Sequence, residues 1–434
     1  MAPDQNKSTA NSGAALTVLS WCVIVLTNAI LLYLIAHSPD HSIYDETDRM
    51  ATLDLLRQYG LFTRRFMLEL PGSPGPTFTI IYTGLQNILH LNYPWLRLVN
   101  FAFLLGTAFL LWLLLQIFES LSVEKLFSID SALFAAAFTV LPAIGVSGGM
   151  TLSEMPAIFL MLCFLVGLSL VLKFEDSKLL ALTLSVLCGG AAAGAIMGRQ
   201  NYLLVLPCLV LLLHAPGGMI NRRELIYLGT IGAVALCMVV PIFVIWGGFI
   251  PPITADVGSG FSIWNGVSSV GYGSIIAAIL APELFRILFK SWHYSILLIA
   301  CTLAVVLPMG ISLSMGISPI ANGKVQSIIA YSIAYSFPVL LASLSVSFLF
   351  CMGAYIWEHR SDRIVRFCTC VFMLGILSNA KITSQFSSRY VTVFVPFLLL
   401  AVAPLVRLNW HFPIRLACGA CISIASLQSY YVLF

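Results

Sequence analysis

Three carboxylates, Asp45, Glu46 and Asp48, fall close together in a chain where only 9% of residues are charged. Further on stand Glu154 in Ser147-Gly-Gly-Met-Thr-Leu-Ser-Glu154, the turn Arg199-Gln200-Asn201-Tyr202, then Lys381 and Ser387-Ser388-Arg389-Tyr390. A carboxylate such as Asp45 or Asp48 can accept the proton of an attacking hydroxyl. Cations such as Arg199, Lys381 and Arg389 can neutralise a departing phosphate, the arginines through two parallel hydrogen bonds. The set therefore suits group transfer from a lipid phosphate. The plainer alternative has solvated acids in a loop and arginines that bind lipid headgroups.

The elements that must position these groups are membrane helices. The chain has 434 residues, 59% of them hydrophobic, and a mean hydropathy of +0.97. That is more apolar surface than a soluble fold of this length buries. The runs are continuous rather than alternating, which implies an all-α polytopic membrane protein and not a barrel. We expect about thirteen spans, near 14–36, 95–117, 128–146, 154–172, 179–197, 200–214, 225–246, 274–290, 293–313, 327–353, 364–381, 389–406 and 412–433. The whole chain 1–434 reads as one integral membrane domain, with 1–215 a catalytic module and 216–434 a variable helical module.

Basic residues orient it. A cytosolic N-terminus puts Lys173, Lys178, Arg222, Arg223, Arg360, Arg363, Arg366, Arg407, Arg415, Lys125 and Lys290 in cytosolic turns. Beyond the first loop, the far side then holds Arg199, Lys324, Lys381 and Arg389. The positive-inside rule favours this arrangement. It brings Asp45, Glu46, Asp48, Glu154, Arg199, Lys381 and Arg389 to one membrane edge, where ionisable groups are costly and line cavities.

The first far-side loop, 37–94, is the longest. Met50, Leu53, Leu55 and Leu56 give 45–59 the pattern of an amphipathic helix lying on the membrane, and Asp48 and Arg49 read as its structural start. Leu70-Pro71-Gly72-Ser73-Pro74-Gly75-Pro76 forbids regular helix, and Thr77–Leu91 is expected to be partly embedded. Gly247–Gly273 reads as a second far-side loop. Gly190-Ala-Ala-Ala-Gly194 reads as helix packing. The eleven cysteines lie mostly in apolar runs, and Cys418-Gly-Ala-Cys421 reads as packing despite its redox-type spacing. The seven histidines show no metal-ligand spacing; no cofactor is expected, with a divalent metal left open. No basic block points to nucleic acid.

Tyr44-Asp45-Glu46, Leu70-Pro71-Gly72 leading to Tyr82, Leu96-Arg97-Leu98-Val99-Asn100, Thr151-Leu-Ser-Glu154, Arg199-Gln200-Asn201 and Ser388-Arg389-Tyr390 resemble, in this order, the GT-C superfamily of membrane glycosyltransferases. Within it the chain looks most like the α-1,2-glucosyltransferases of dolichol-linked oligosaccharide assembly. The likeness covers roughly residues 40–205. Ser73-Pro74-Gly75-Pro76 departs from the Pro-Gly-Leu-Tyr run of those enzymes, and their middle-loop residues are missing.

The resemblance implies a polyprenyl-phosphate sugar as donor and a glycan, lipid or protein as acceptor, with inversion at the anomeric carbon. It makes Asp45 the general base, with Glu46 orienting the acceptor or sharing that role, and Glu154 a second carboxylate that positions the acceptor. Arg199 and Arg389 would bind the donor phosphate. Lys381, Gln200, Tyr390 and Tyr82 complete the substrate-binding candidates. The implied setting is the endoplasmic reticulum or a bacterial inner membrane, among membrane lipids. A secondary transporter and a non-enzymatic lipid-handling subunit are the competing readings; no internal repeat supports the first.

Overall fold

The computed structural model describes residues 5–61, 63–71, 75–89, 92–121, 129–213, 221–254, 260–289, 293, 296, 299, 301–303, 328–382 and 386–433. Among these the chain is helical, with no strand. Nine described helices are long and apolar enough to cross a membrane, so the protein is an all-α, multi-pass integral membrane protein. Eight coincide with expected spans, and the ninth, Ile263–Leu280, overlaps only the start of the one expected at 274–290. The expected runs 128–146, 200–214 and 389–406 instead contain the shorter apolar helices Ser131–Val140, Gln200–Leu212 and Val395–Leu405. The expected span 293–313 lies largely outside the described residues, as do Gly72, Ser73, Pro74, Lys125, Asp256, Lys290 and Lys324.

The chain divides into two compact units, residues 1–255 with 406–434, and residues 256–405. The helix Arg222–Trp246 packs with the first unit, and the last helix returns to it.

In the first unit, α1 (Gln5–Ala36) leads to three short helices, α2 (Glu46–Tyr59), α3 (Arg64–Leu68) and α4 (Thr77–Leu89). These fill the loop where interfacial helices were expected. Next come α5 (Trp95–Leu121), α6 (Ser131–Ala137), α7 (Ile144–Gly149), α8 (Glu154–Lys173), α9 (Lys178–Gly198), α10 (Val205–Cys208) and α11 (Arg222–Trp246). The C-terminal helix His411–Leu433 packs on α1 and α7. α8 is buried along most of its length between α5 and α9. Small residues make this possible. A Cβ on Gly198 would stand 2.8 Å from Ala157 Cβ, and one on Gly189 2.6 Å from Val234 Cβ. The expected contact glycine Gly190 faces open space, so the close α9–α11 approach is at its neighbour Gly189.

α4 is held in two ways. Phe78 and Tyr82 stack with ring centroids 4.2 Å apart in a cluster with Leu53 and Leu96. Thr77 Oγ1 donates to Gly194 O at 2.6 Å, tying α4 to α9.

In the second unit the first helix is α12 (Ile263–Leu280), followed by a 3-10 stretch, Pro282–Phe289. The span expected at 274–290 therefore begins earlier, and part of the supposed loop 247–273 is helix. The Ser, Gly and Asn residues that read as loop are buried here. Asn265 is satisfied by donating to Ile382 O at 2.6 Å, and Ser262 caps the helix by accepting from Asn265 N.

Candidate active site

The site is built on one face of α5. Arg97 and Asn100, three residues apart on that helix, share a face, and each pins a different loop. Arg97 is fully buried and uses all five of its N–H groups. Nε and Nη2 donate to the two oxygens of Glu46 at 3.0 and 2.6 Å. Nη1 donates to Ser38 Oγ at 2.7 Å and Pro39 O at 2.5 Å, and Nη2 also to His41 O at 2.9 Å. The rings of Tyr93 and Tyr431 flank the guanidinium, at 4.6 and 5.3 Å from centroid to Cζ. The loop 38–46 is thereby wrapped around one buried cation.

Glu46 closes the knot. Besides Arg97, its carboxylate accepts from Thr151 N at 2.7 Å and Ile43 N at 3.0 Å. All four lone-pair directions of this fully buried carboxylate have donors. The bond to Ile43 shapes the turn that follows. Tyr44 has φ +51, a left-handed conformation that costs a bulky residue about 1–3 kcal/mol, and its ring meets Tyr430 edge-on at 5.5 Å. Asp45 follows immediately, half-buried, with no side-chain cap bond to α2.

Asn100 does the same for the second loop. Its amide donates to Met150 O, Leu152 O and Ser147 O, and its carbonyl accepts from the Tyr82 hydroxyl. Tyr82 is therefore wholly interior, anchored on Asn100 rather than facing a cavity. Glu46 and Asn100 together fix residues 147–152, and Glu154 opens α8 two residues later. A carboxylate in the first turn is favoured by the helix dipole. Glu154 is buried and forms an ion pair with Arg199 Nη2.

Arg199 lies where α9 stops. Its backbone is extended, at φ −150 and ψ 104, and a 3-10 turn, Gln200–Leu204, follows. Gly75 reaches this end of α9, where a Cβ would press on the backbone oxygen of Met197. Gly75 is thus seated on the turn that presents Arg199.

Arg49 joins the same group. On the first turn of α2 it is only 7% exposed, and it interacts electrostatically with Arg199, Glu154, Asp45 and Asp48. Burial, with the neighbouring Arg199, pulls its guanidinium down to about 10. Asp48 is raised by burial, against the pull of Arg49. Among the described residues, Nε of Arg49 has no hydrogen-bond acceptor, and no carboxylate is within ion-pair distance of its guanidinium. Sequence reasoning gave this residue a structural role. The signal that marks it is an arginine in the first turn of a helix, where the dipole disfavours a cation.

Asp45, Glu154, Arg199 and Arg49 thus come together from three separate stretches, with Glu46 and Tyr82 in supporting positions behind them. Gln200 is half-buried in the turn beside Arg199. The other candidates belong to the second unit. There Arg389 is buried and its Nε donates to Ser387 Oγ at 3.0 Å, Tyr390 is half-buried, and Lys381 is exposed. Asn379 ties this corner together by donating to Ser269 Oγ at 3.0 Å and Tyr390 O at 3.4 Å. Among the described residues no three His, Cys, Asp or Glu side chains are grouped as a metal cage. Compared with family models, curated proteins and solved structures, the chain matches none.

Proposed function

We propose that the protein is a glycosyltransferase that moves a sugar from a polyprenyl-phosphate donor to a glycan, lipid or protein acceptor. Asp45 takes the proton of the acceptor hydroxyl. The acceptor oxygen bonds to the anomeric carbon while the carbon–oxygen bond to phosphate breaks. The lipid phosphate leaves with the electron pair and gains a negative charge, so cations near it lower the barrier. Arg199 binds that phosphate, and Glu154 holds Arg199 and positions the acceptor. Glu46 acts as a positioning residue for Asp45.

The observation that carries this reading is the convergence of Asp45, Glu154 and Arg199 in the first unit, among helices apolar enough to cross a membrane. In this reading the chain makes thirteen full or broken membrane passes with its N-terminus cytosolic. The 37–94 loop then faces the lumen of the endoplasmic reticulum or the bacterial periplasm. The test is reconstitution with a panel of labelled polyprenyl-phosphate hexoses and lipid-linked acceptors. Release of polyprenyl phosphate with sugar appearing in the acceptor is the expected result. No release from any common donor would count against it.

A further inference from the structure

Arg49 is costly as it stands. Its guanidinium is more than nine-tenths buried, sits on the first turn of α2, and shares its surroundings with Arg199. Burial, helix dipole and a like charge all disfavour it. Buried arginines are ordinarily compensated, as Arg97 is by five hydrogen bonds. Arg49 has no such set: its Nε lacks an acceptor and no carboxylate pairs with it among the described residues. Nε of Arg199, whose Nη2 meets Glu154, is also without an acceptor. Asp45, Asp48 and Glu154 act on Arg49 as nearby charges, yet none is paired with it, and both arginines keep a buried Nε with no acceptor.

We propose that Arg49 and Arg199 form a phosphate-binding subsite, with Arg49 a direct ligand of a lipid-linked phosphodiester. The assignment to a donor rests on the transferase reading; the anion site itself does not. Because the leaving lipid phosphate gains charge, Arg49 binds it more tightly than it binds the intact donor, and its loss falls on kcat.

The test uses the full chain in phosphatidylcholine nanodiscs, with melting temperature and affinity measured for citronellyl phosphate and for inorganic phosphate, and again in phosphatidylglycerol nanodiscs. Arg49→Met is expected to melt at or above the wild-type temperature without ligand, since it removes a buried charge that no paired carboxylate or full set of hydrogen bonds offsets. It should bind citronellyl phosphate about 10- to 100-fold more weakly, as loss of charge-assisted hydrogen bonds predicts. Arg49→Lys should recover part of that affinity. Arg57→Gln, on the exposed side of α2, should bind within about twofold of wild type.

An Arg49→Met protein that melts lower without ligand and binds citronellyl phosphate normally would make the residue structural and overturn the proposal. So would an Arg49-dependent shift fully reproduced by inorganic phosphate or by phosphatidylglycerol alone, which would assign the site to a free anion or to bulk lipid. If wild type turns over and Arg49→Met keeps its kcat, the subsite fails and the transferase reading survives. If Arg49-dependent binding holds and no donor is ever turned over, the transferase reading fails and the subsite survives.

Discussion

Glu46 and Arg97, 51 residues apart, meet through two hydrogen bonds of 3.0 and 2.6 Å with both side chains fully buried. Removing one partner leaves the other charged and unpaired in the interior, at about 3–5 kcal/mol. Glu46→Ala and Arg97→Ala are each expected to lower the melting temperature sharply and to abolish activity. The double variant Glu46→Leu/Arg97→Met should regain much of the stability but not the activity, because the loop 38–46 loses its anchor. A double-mutant cycle in thermal melting, alongside turnover, checks both halves.

Asp45 is expected to behave in the opposite way. It is half-buried and makes no cap bond to α2, and asparagine keeps its size and one acceptor oxygen, so Asp45→Asn should melt close to wild type. Loss of a general base lowers turnover by about 10²- to 10⁴-fold. Steady-state kinetics on protein of unchanged melting temperature separates this from a folding defect.

Arg199 and Glu154 form an ion pair beside the proposed phosphate site. Arg199→Lys keeps the charge and loses the planar fork, so we expect kcat/KM to fall at least about tenfold with a smaller change in stability. Glu154→Gln weakens its hold on Arg199 and is expected to raise KM for the acceptor. Kinetics with donor and acceptor varied independently distinguish the two effects.

Packing at the adjoining glycines sets the α8–α9 and α9–α11 spacing. Gly189→Ala is expected to destabilise, because its Cβ would press on Val234 Cβ at 2.6 Å and Ile231 O at 2.9 Å. Gly190→Ala, which meets nothing within 4 Å, should be neutral or stabilising by about 0.5–1 kcal/mol through helix propensity. Gly75→Ala would bring a Cβ against the backbone oxygen of Met197 and should reduce activity by shifting the turn at Arg199. Thermal melting of the three variants in one detergent, with activity for the last, is the check.

The membrane class and the position of most helices are legible in the sequence, because a run of about 20 apolar residues is a strong local signal. Broken helices are less so: Gln200–Leu212 and Val395–Leu405 are apolar yet short, and apolarity alone does not report where a helix breaks. The helix starting at Ile263 was hidden because Asn265, Ser268 and Ser269 look like loop residues until their burial and partners are known. In the site, Asp45, Glu154 and Arg199 stand out as charges in apolar surroundings. The roles of Glu46 and Tyr82 depend on Arg97 and Asn100, long-range partners that spacing does not reveal. Arg49 passes for an ordinary surface residue until its burial is seen.

The most direct measurement is release of polyprenyl phosphate from a labelled polyprenyl-phosphate hexose by matched proteoliposomes of wild type and Asp45→Asn. The account predicts acceptor-dependent release by the wild type and loss of about 10²-fold or more in the variant at equal melting temperature. Equal release by the two proteins would contradict it.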